Sequence, residues 1–107
     1  MTFKLTLLTP EGVVFDDDVT GFVAPGVNGL FGVLARHAPM VYALQSGVLK
    51  VQKDKAFLFF VLSDGFTEIA PGGAATIFVE SVLPAADQPD AEAKLHELHA
   101  TCAPTPG

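Results

Sequence analysis

Turn signals punctuate this chain so closely that long helices are excluded from most of it. They read Thr9-Pro-Glu-Gly12, Pro25-Gly-Val-Asn-Gly29, Gln45-Ser-Gly47, Lys53-Asp-Lys55, Ser63-Asp-Gly65 and Pro71-Gly-Gly73. Glycine, proline, asparagine and aspartate at such intervals leave room only for short extended segments between them. Those segments are rich in Val, Phe, Leu and Thr, the residues that suit a pleated surface. Phe3, Leu5 and Leu7 alternate with Lys4 and Thr6, the mark of a strand with one wet face. Val48 and Lys50 alternate less cleanly with Leu49 and Gln52, which places that strand near an edge. Ala56–Leu62 is apolar throughout and reads as a strand buried on both faces. Eight or so strands at this spacing, with no helical period before residue 87, imply an all-β sandwich or barrel.

The chain has 107 residues, enough for one domain and one core, and nine phenylalanines supply bulk for it. Its mean hydropathy is high, +0.43. Yet the longest apolar run, Ala56–Leu62, is seven residues, far short of the roughly 20 that a membrane-spanning helix needs. Met1 is not followed by a basic segment and an apolar signal core, so no secretory leader is expected. The single cysteine, Cys102, cannot close an internal disulfide and suits a reducing compartment. The net charge is −6, and the six lysines and arginines form no stripe. Nucleic acid is therefore excluded as a partner, since phosphate recognition needs clustered cations. An anionic lipid surface would repel the chain, so direct lipid insertion is not expected and any membrane location needs a protein anchor.

After Val82 the composition changes. Leu83–Pro89 carries two prolines and reads as a linker, and Asp90–His99 reads as a short α-helix. Acidic Asp90 and Glu92 near its start suit the helix dipole, and Ala91, Leu95 and Leu98 form one narrow apolar stripe. So short a helix is marginal alone in water and must dock on the sandwich to persist. The division is thus a β-sandwich over 1–83, then linker, helix and tail over 84–107.

Candidate chemistry is sparse. The triplet Asp16-Asp17-Asp18 has no second oxygen cluster at metal-loop spacing and reads as a solvated connection. His96, His99 and Cys102 have the spacing H-x2-H-x2-C, but a zinc site lacks its fourth ligand there. Ser63, Asp64 and His37 supply the residue types of a nucleophilic triad without a nucleophile elbow, and Asp64-Gly65 is what a tight turn asks for. Gly26-Val-Asn-Gly29 with Gly32 is not a phosphate-binding loop, because no helix follows it. The residues point to binding or structural service, with no catalytic, metal, nucleotide or cofactor site. An enzyme built on His37 and Asp64 is the remote alternative. A free-standing sandwich that binds a ligand or peptide is the nearer one.

The order of the motifs is informative. Thr9-Pro-Glu-Gly-Val-Val-Phe15, Val23-Ala-Pro-Gly-Val-Asn-Gly-Leu-Phe-Gly-Val-Leu34, His37-Ala-Pro39, Leu44-Gln-Ser-Gly-Val-Leu49, Ser63-Asp-Gly-Phe-Thr-Glu-Ile69 and Thr76-Ile-Phe-Val79 follow one another. Together they resemble the epsilon subunit of F-type ATP synthases, whose mitochondrial counterpart is called delta. The resemblance covers residues 3 to about 82. It implies a ten-stranded β-sandwich in the central stalk, non-catalytic, with one face on the gamma subunit and one end on the polar loops of the c-ring. The catalytic alpha/beta hexamer would be an indirect partner. The place implied is peripheral, on the cytoplasmic face of the bacterial inner membrane, and the role is coupling of proton or sodium transport to ATP synthesis. By the same resemblance the c-ring end includes Asn28, Leu30, Phe31, Arg36, His37, Pro39 and Met40. His37 and Pro39 would shape the loop, and Asn28, Leu30, Arg36 and Met40 would supply contact surface. The family usually has glycine before this histidine, and often proline before that, where this chain has Arg36 and Ala35. Family members also usually carry about twice as much helical sequence after Pro84. Little or no self-inhibition is therefore expected. No nucleotide site is expected either, since Asp90 is followed by Ala-Glu-Ala-Lys94 without the arginine of the family's ATP motif.

Overall fold

The computed structural model describes residues 1–102, with side chains through His96. It holds ten strands: β1 (Phe3–Thr9), β2 (Gly12–Val19), β3 (Gly21–Gly26), β4 (Gly29–Leu34), β5 (Met40–Leu44), β6 (Gly47–Lys53), β7 (Ala56–Leu62), β8 (Gly65–Ile69), β9 (Ala75–Val79) and β10 (Val82–Ala85). One helix, α1 (Gln88–Cys102), follows. The turn signals fall between strands as expected, and the all-β architecture holds.

The strands form two layers joined through β3. One layer runs β10-β7-β6-β3 with β4 on the other edge of β3; the second runs β5-β8-β9-β1-β2. β3 joins them because it changes partner along one edge, pairing β6 through Gly21–Val23 and β5 at Gly26. All pairings are antiparallel except β1 with β9. The inward alternate residues make the core: Leu5 and Leu7 of β1, Leu49 and Val51 of β6, Leu62 of β7 and Ile77 of β9 are fully buried. Each such side chain contributes about 1.5–3 kcal/mol by leaving water.

A bulge between Leu7 and Leu8 shifts the β1–β2 register by one residue. Phe15, opposite Leu7, faces the core and meets Phe60 edge-on at 5.5 Å, and the bulge turns Val13, opposite Leu8, to the outer face.

Four expectations need correction. β6 lies between β3 and β7, not near an edge. A charged residue is accommodated on this interior strand because Lys50, on the outer face, sets its Nζ over the Phe57 ring, 4.4 Å from the centroid. β7 is buried on both faces only at Phe60–Leu62, while Phe57 on its outer face is 48 % exposed. The gradient follows α1, which packs on β6, β7 and β10 and buries Val61 and Ala91 outside the main core. The acidic triplet is not a connection. It lies within edge strand β2, with Asp16 paired to Lys4 at 3.2 Å and Asp17 paired to Lys53. Finally, β10 continues pairing with β7 through Ala85, three residues into the Leu83–Pro89 stretch read as a linker. Pro84 is tolerated because β10 is an edge strand.

Asp87 caps α1 by accepting from Asp90 N at 2.9 Å, and Asp90 in turn accepts from Ala86 N at 2.8 Å. This hydrogen bond, with that from Lys94, holds the Asp90 carboxyl below its ordinary value. Ala91 is buried and Leu95 half-buried, as the stripe requires; Leu98 lies outside the residues whose side chains are described.

Candidate functional site

The residues expected at the ring-facing end fall in two groups, and β4 separates them. Asn28 sits in the two-residue turn that joins β3 to β4, exposed, with Gly29 at φ 120° closing the hairpin. Val27 N donates to Ala43 O at 3.0 Å, so this turn lies beside the Leu44 end of β5. Arg36, His37 and Pro39 occupy the connection at the opposite end of β4, beside Met40, the first residue of β5.

What unites the groups is the strand itself. β4 pairs only with β3, so its other edge is free among the described strands. Leu30 and Leu34, on the same face by strand alternation, are 73 % and 68 % exposed. Phe31 and Val33 point the other way. Phe31 stacks on Tyr42 of β5 with centroids 4.5 Å apart, which bridges two strands that do not pair directly. Phe31 and Met40 both lean on the core, so they brace the strip more than they extend it.

The Arg36–His37 connection is tightly specified. His37 N donates to Leu34 O at 3.2 Å, closing a turn around Ala35 and Arg36. The His37 ring sets Nδ1 2.9 Å from Ala38 O. A carbonyl can only accept, so Nδ1 carries the proton of this bond. His37 is thus bonded within its own connection. Arg36 is exposed and adopts φ 67°, a left-handed conformation that costs a non-glycine residue about 1–2 kcal/mol. Gly73, in the β8–β9 turn, faces it with room to spare: a methyl there would make an ordinary contact, 3.5 Å from Arg36 N.

The triad types are not assembled. Met40 pairs with Ile69 and Leu44 with Gly65, so His37 and Asp64 lie beyond opposite ends of the β5–β8 pair. Asp64 instead accepts from Ser46 N at 2.9 Å and Ser46 Oγ at 3.0 Å, and Ser63 Oγ accepts from Ser81 N. These contacts fasten turns together. His96 is exposed, while His99 and Cys102 lie outside the residues whose side chains are described.

A second surface was not legible in the sequence. Across the outer face of the layer β5-β8-β9-β1-β2, register aligns Ala43, Phe66, Phe78, Leu8 and Val13 in one cross-strand row. Phe66 and Phe78 are exposed yet stacked on each other. A hollow of about 480 Å³ beside them is lined by Leu8, Pro10, Asp64 and Glu80 among others. Each residue of the row looks unremarkable in its own strand, and only the pairing brings them together. Phe78, standing between inward Ile77 and Val79, was the one available signal.

Comparison with known proteins assigns this architecture. Residues 2–85 match the β-sandwich domain of the ATP synthase delta/epsilon chain. The ATP synthase epsilon chain of Desulforamulus reducens is 38% identical over 91 residues, covering 85% of this chain and 67% of that one. That of Chlorobium limicola is 38% identical over 81 residues, covering 75% and 91%. The chain belongs to the ATP synthase delta/epsilon family. Members of this family are non-catalytic subunits of the synthase. The fold is shared with a chain in the cryo-EM structure of the Euglena gracilis mitochondrial ATP synthase (OSCP/F1/c-ring), with a TM-score of 0.76 at 24% identity, covering 99% of this chain and 68% of that one. A chain of the Tetrahymena thermophila mitochondrial ATP synthase central stalk and c-ring gives 0.69 at 14% identity, covering 94% and 91%. Both surfaces described above lie within the delta/epsilon sandwich match, and α1 follows it. None of the helices described is long and apolar enough to cross a membrane.

Proposed function

We propose that this chain is a rotor subunit of the central stalk of an F-type ATP synthase, joining the gamma subunit to the c-ring and coupling ion translocation to ATP synthesis. The observation that carries this reading is the presence of two separate exposed apolar surfaces on one β-sandwich. A connector in a rotating shaft needs two docking faces and a body that does not yield between them. The cross-strand row centred on Phe66 and Phe78 is the seat for gamma: it is broad, apolar and flanked by carboxylates. The β4 strip from Asn28 to the Arg36–His37 loop is the seat for the polar loops of the c-ring. Relatives that are epsilon chains of bacterial synthases support a peripheral place on the cytoplasmic face of the membrane, and a net charge of −6 favours holding by protein over holding by lipid.

These 107 residues hold back ATP hydrolysis weakly or not at all. The described part of α1 is committed to the sandwich, with Ala91 buried and Lys94 Nζ donating to Pro84 O at 2.9 Å. Asp90 is engaged by Ala86 N and Lys94, which leaves it poorly placed to hold a nucleotide.

The test is reconstitution. Added to membranes stripped of their own epsilon chain, together with the matching gamma subunit, this chain should copurify with gamma in equal amounts and restore ion-driven ATP synthesis. Failure to bind gamma would overturn the reading and favour a free-standing binding module.

A further inference from the structure

We infer that Arg36 is a specificity-determining contact of the ring-facing strip, and that it reads a carboxylate on the partner's polar loop. This deepens the rotor reading above and rests on it.

The observation that motivates it is backbone strain with a side chain attached. Among the described residues only Arg36 and Asp54 combine a side chain with positive φ. Asp54 has a local reason: it sits in the tight β6–β7 turn, and aspartate tolerates this conformation. Arginine does not. The turn around Arg36 is fixed independently of its side chain, by His37 N donating to Leu34 O. A glycine would hold the same turn without strain. Residues kept in strained conformations by surrounding structure are where a side chain is needed for something else.

The chemistry of that need follows from charge. Lys4, Lys53 and Lys94 are each engaged with an aspartate, Lys50 lies over Phe57, and Lys55 is exposed in the β6–β7 turn, off the strip. Arg36 has no ion pair among the described residues and is exposed at the loop tip. On a chain of net charge −6 it is a lone cation at one end of the proposed strip. Its planar fork of donors matches a carboxylate in two-pronged geometry, which lysine cannot reproduce. An anionic lipid headgroup would also accept such a fork, but the remaining surface repels an anionic bilayer. A single carboxylate on a protein loop asks for one cation and no wider field.

The experiment uses a purified complex of gamma and c-ring in detergent, with wild type and the variants Arg36→Gly, Arg36→Lys and Arg36→Glu. Arg36→Gly should melt higher than wild type, since it relieves the strain, yet bind the complex at least about tenfold more weakly at low salt. Arg36→Lys should recover part of that loss and Arg36→Glu should bind most weakly. At high salt the wild type should converge on Arg36→Gly, as screening removes the contact. A ring whose loop carboxylates are changed to lysine should bind Arg36→Glu better than wild type. Equal binding of Arg36→Gly and wild type at low salt would overturn the inference while leaving the rotor reading standing. So would Arg36-dependent binding to phosphatidylglycerol vesicles with ring binding unchanged. No binding of the wild type to the complex would overturn both.

Discussion

Phe66 and Phe78 stack across β8 and β9 with ring centroids 5.0 Å apart and planes 24° from parallel, on the face turned away from the core. They are 43 % and 36 % exposed. An exposed cross-strand aromatic pair stabilises a sheet by about 0.2–1 kcal/mol, whereas a buried aromatic at an interface can carry about 2 kcal/mol or more. Phe66→Ser should therefore cost the isolated chain about 1 kcal/mol or less in a denaturant titration. It should weaken binding to the gamma subunit at least about tenfold in a pull-down series. Unchanged gamma binding would move the seat to another face.

Gly65 opens β8 against the backbone of β9. A Cβ there would stand 1.9 Å from Phe78 O and 2.7 Å from a methyl of Val79. The carbonyl belongs to a paired strand and cannot swing away as a side-chain tip could. Gly65→Ala should destabilise the sandwich by about 3 kcal/mol or more through overpacking. It should also disturb the Phe66–Phe78 stack. A melting temperature within a degree or two of wild type would show that the β8–β9 pairing is slacker than its register implies.

Thr67 presents the opposite case. It is fully buried on β8, opposite Ile77 and Tyr42, and its hydroxyl has no partner among the described residues. An unsatisfied buried hydroxyl costs about 1–3 kcal/mol, and a methyl of similar shape removes that cost. Thr67→Val should raise stability by about 1 kcal/mol with no change in fold. Destabilisation on that substitution would reveal a hydrogen bond to ordered water.

Much of this architecture was legible because turn chemistry and alternation are local. Asp64-Gly65, Gly26–Gly29 and Lys53-Asp-Lys55 each name their own turn, and Phe3, Leu5 and Leu7 name their own inward face. Other features depend on residues far apart in the chain. Lys50 reads as a wet edge position until Phe57 lies beneath it, and Phe59 and Val61 read alike until α1 covers only one of them well. The acidic triplet looked like a loop because its counter-charges, Lys4 and Lys53, sit on other strands. Motif order singles out the connection at Arg36 and His37, but its separation from Asn28 by the length of β4 comes from pairing alone. The Phe66–Phe78 row likewise depends on pairing, with Phe78 between inward Ile77 and Val79 its one trace in the sequence.

Asp17 and Lys53 tie edge strand β2 of one layer to the end of β6 in the other. The Lys53 ammonium holds the Asp17 carboxyl below its ordinary value of 3.8, and Asp18 N, donating at 2.8 Å, adds to the effect. Asp17 in turn holds Lys53 above 10.5. A depressed carboxylate contributes stability that is present above its ordinary value and lost as pH falls through the lowered one. A raised lysine contributes stability present below its ordinary value and lost as pH rises through the raised one. The pair is therefore intact between those limits and fails at both ends. Melting temperature followed from about pH 7 down to about pH 3 should fall less steeply for Asp17→Asn than for wild type. Asp90, also held low by Ala86 N and Lys94, keeps part of the acid slope in that variant. Both residues of the pair are well exposed, so added salt should shrink the difference. If the Asp17→Asn and wild-type profiles superimpose through the acid limb, the bridge between the layers contributes nothing to holding them together.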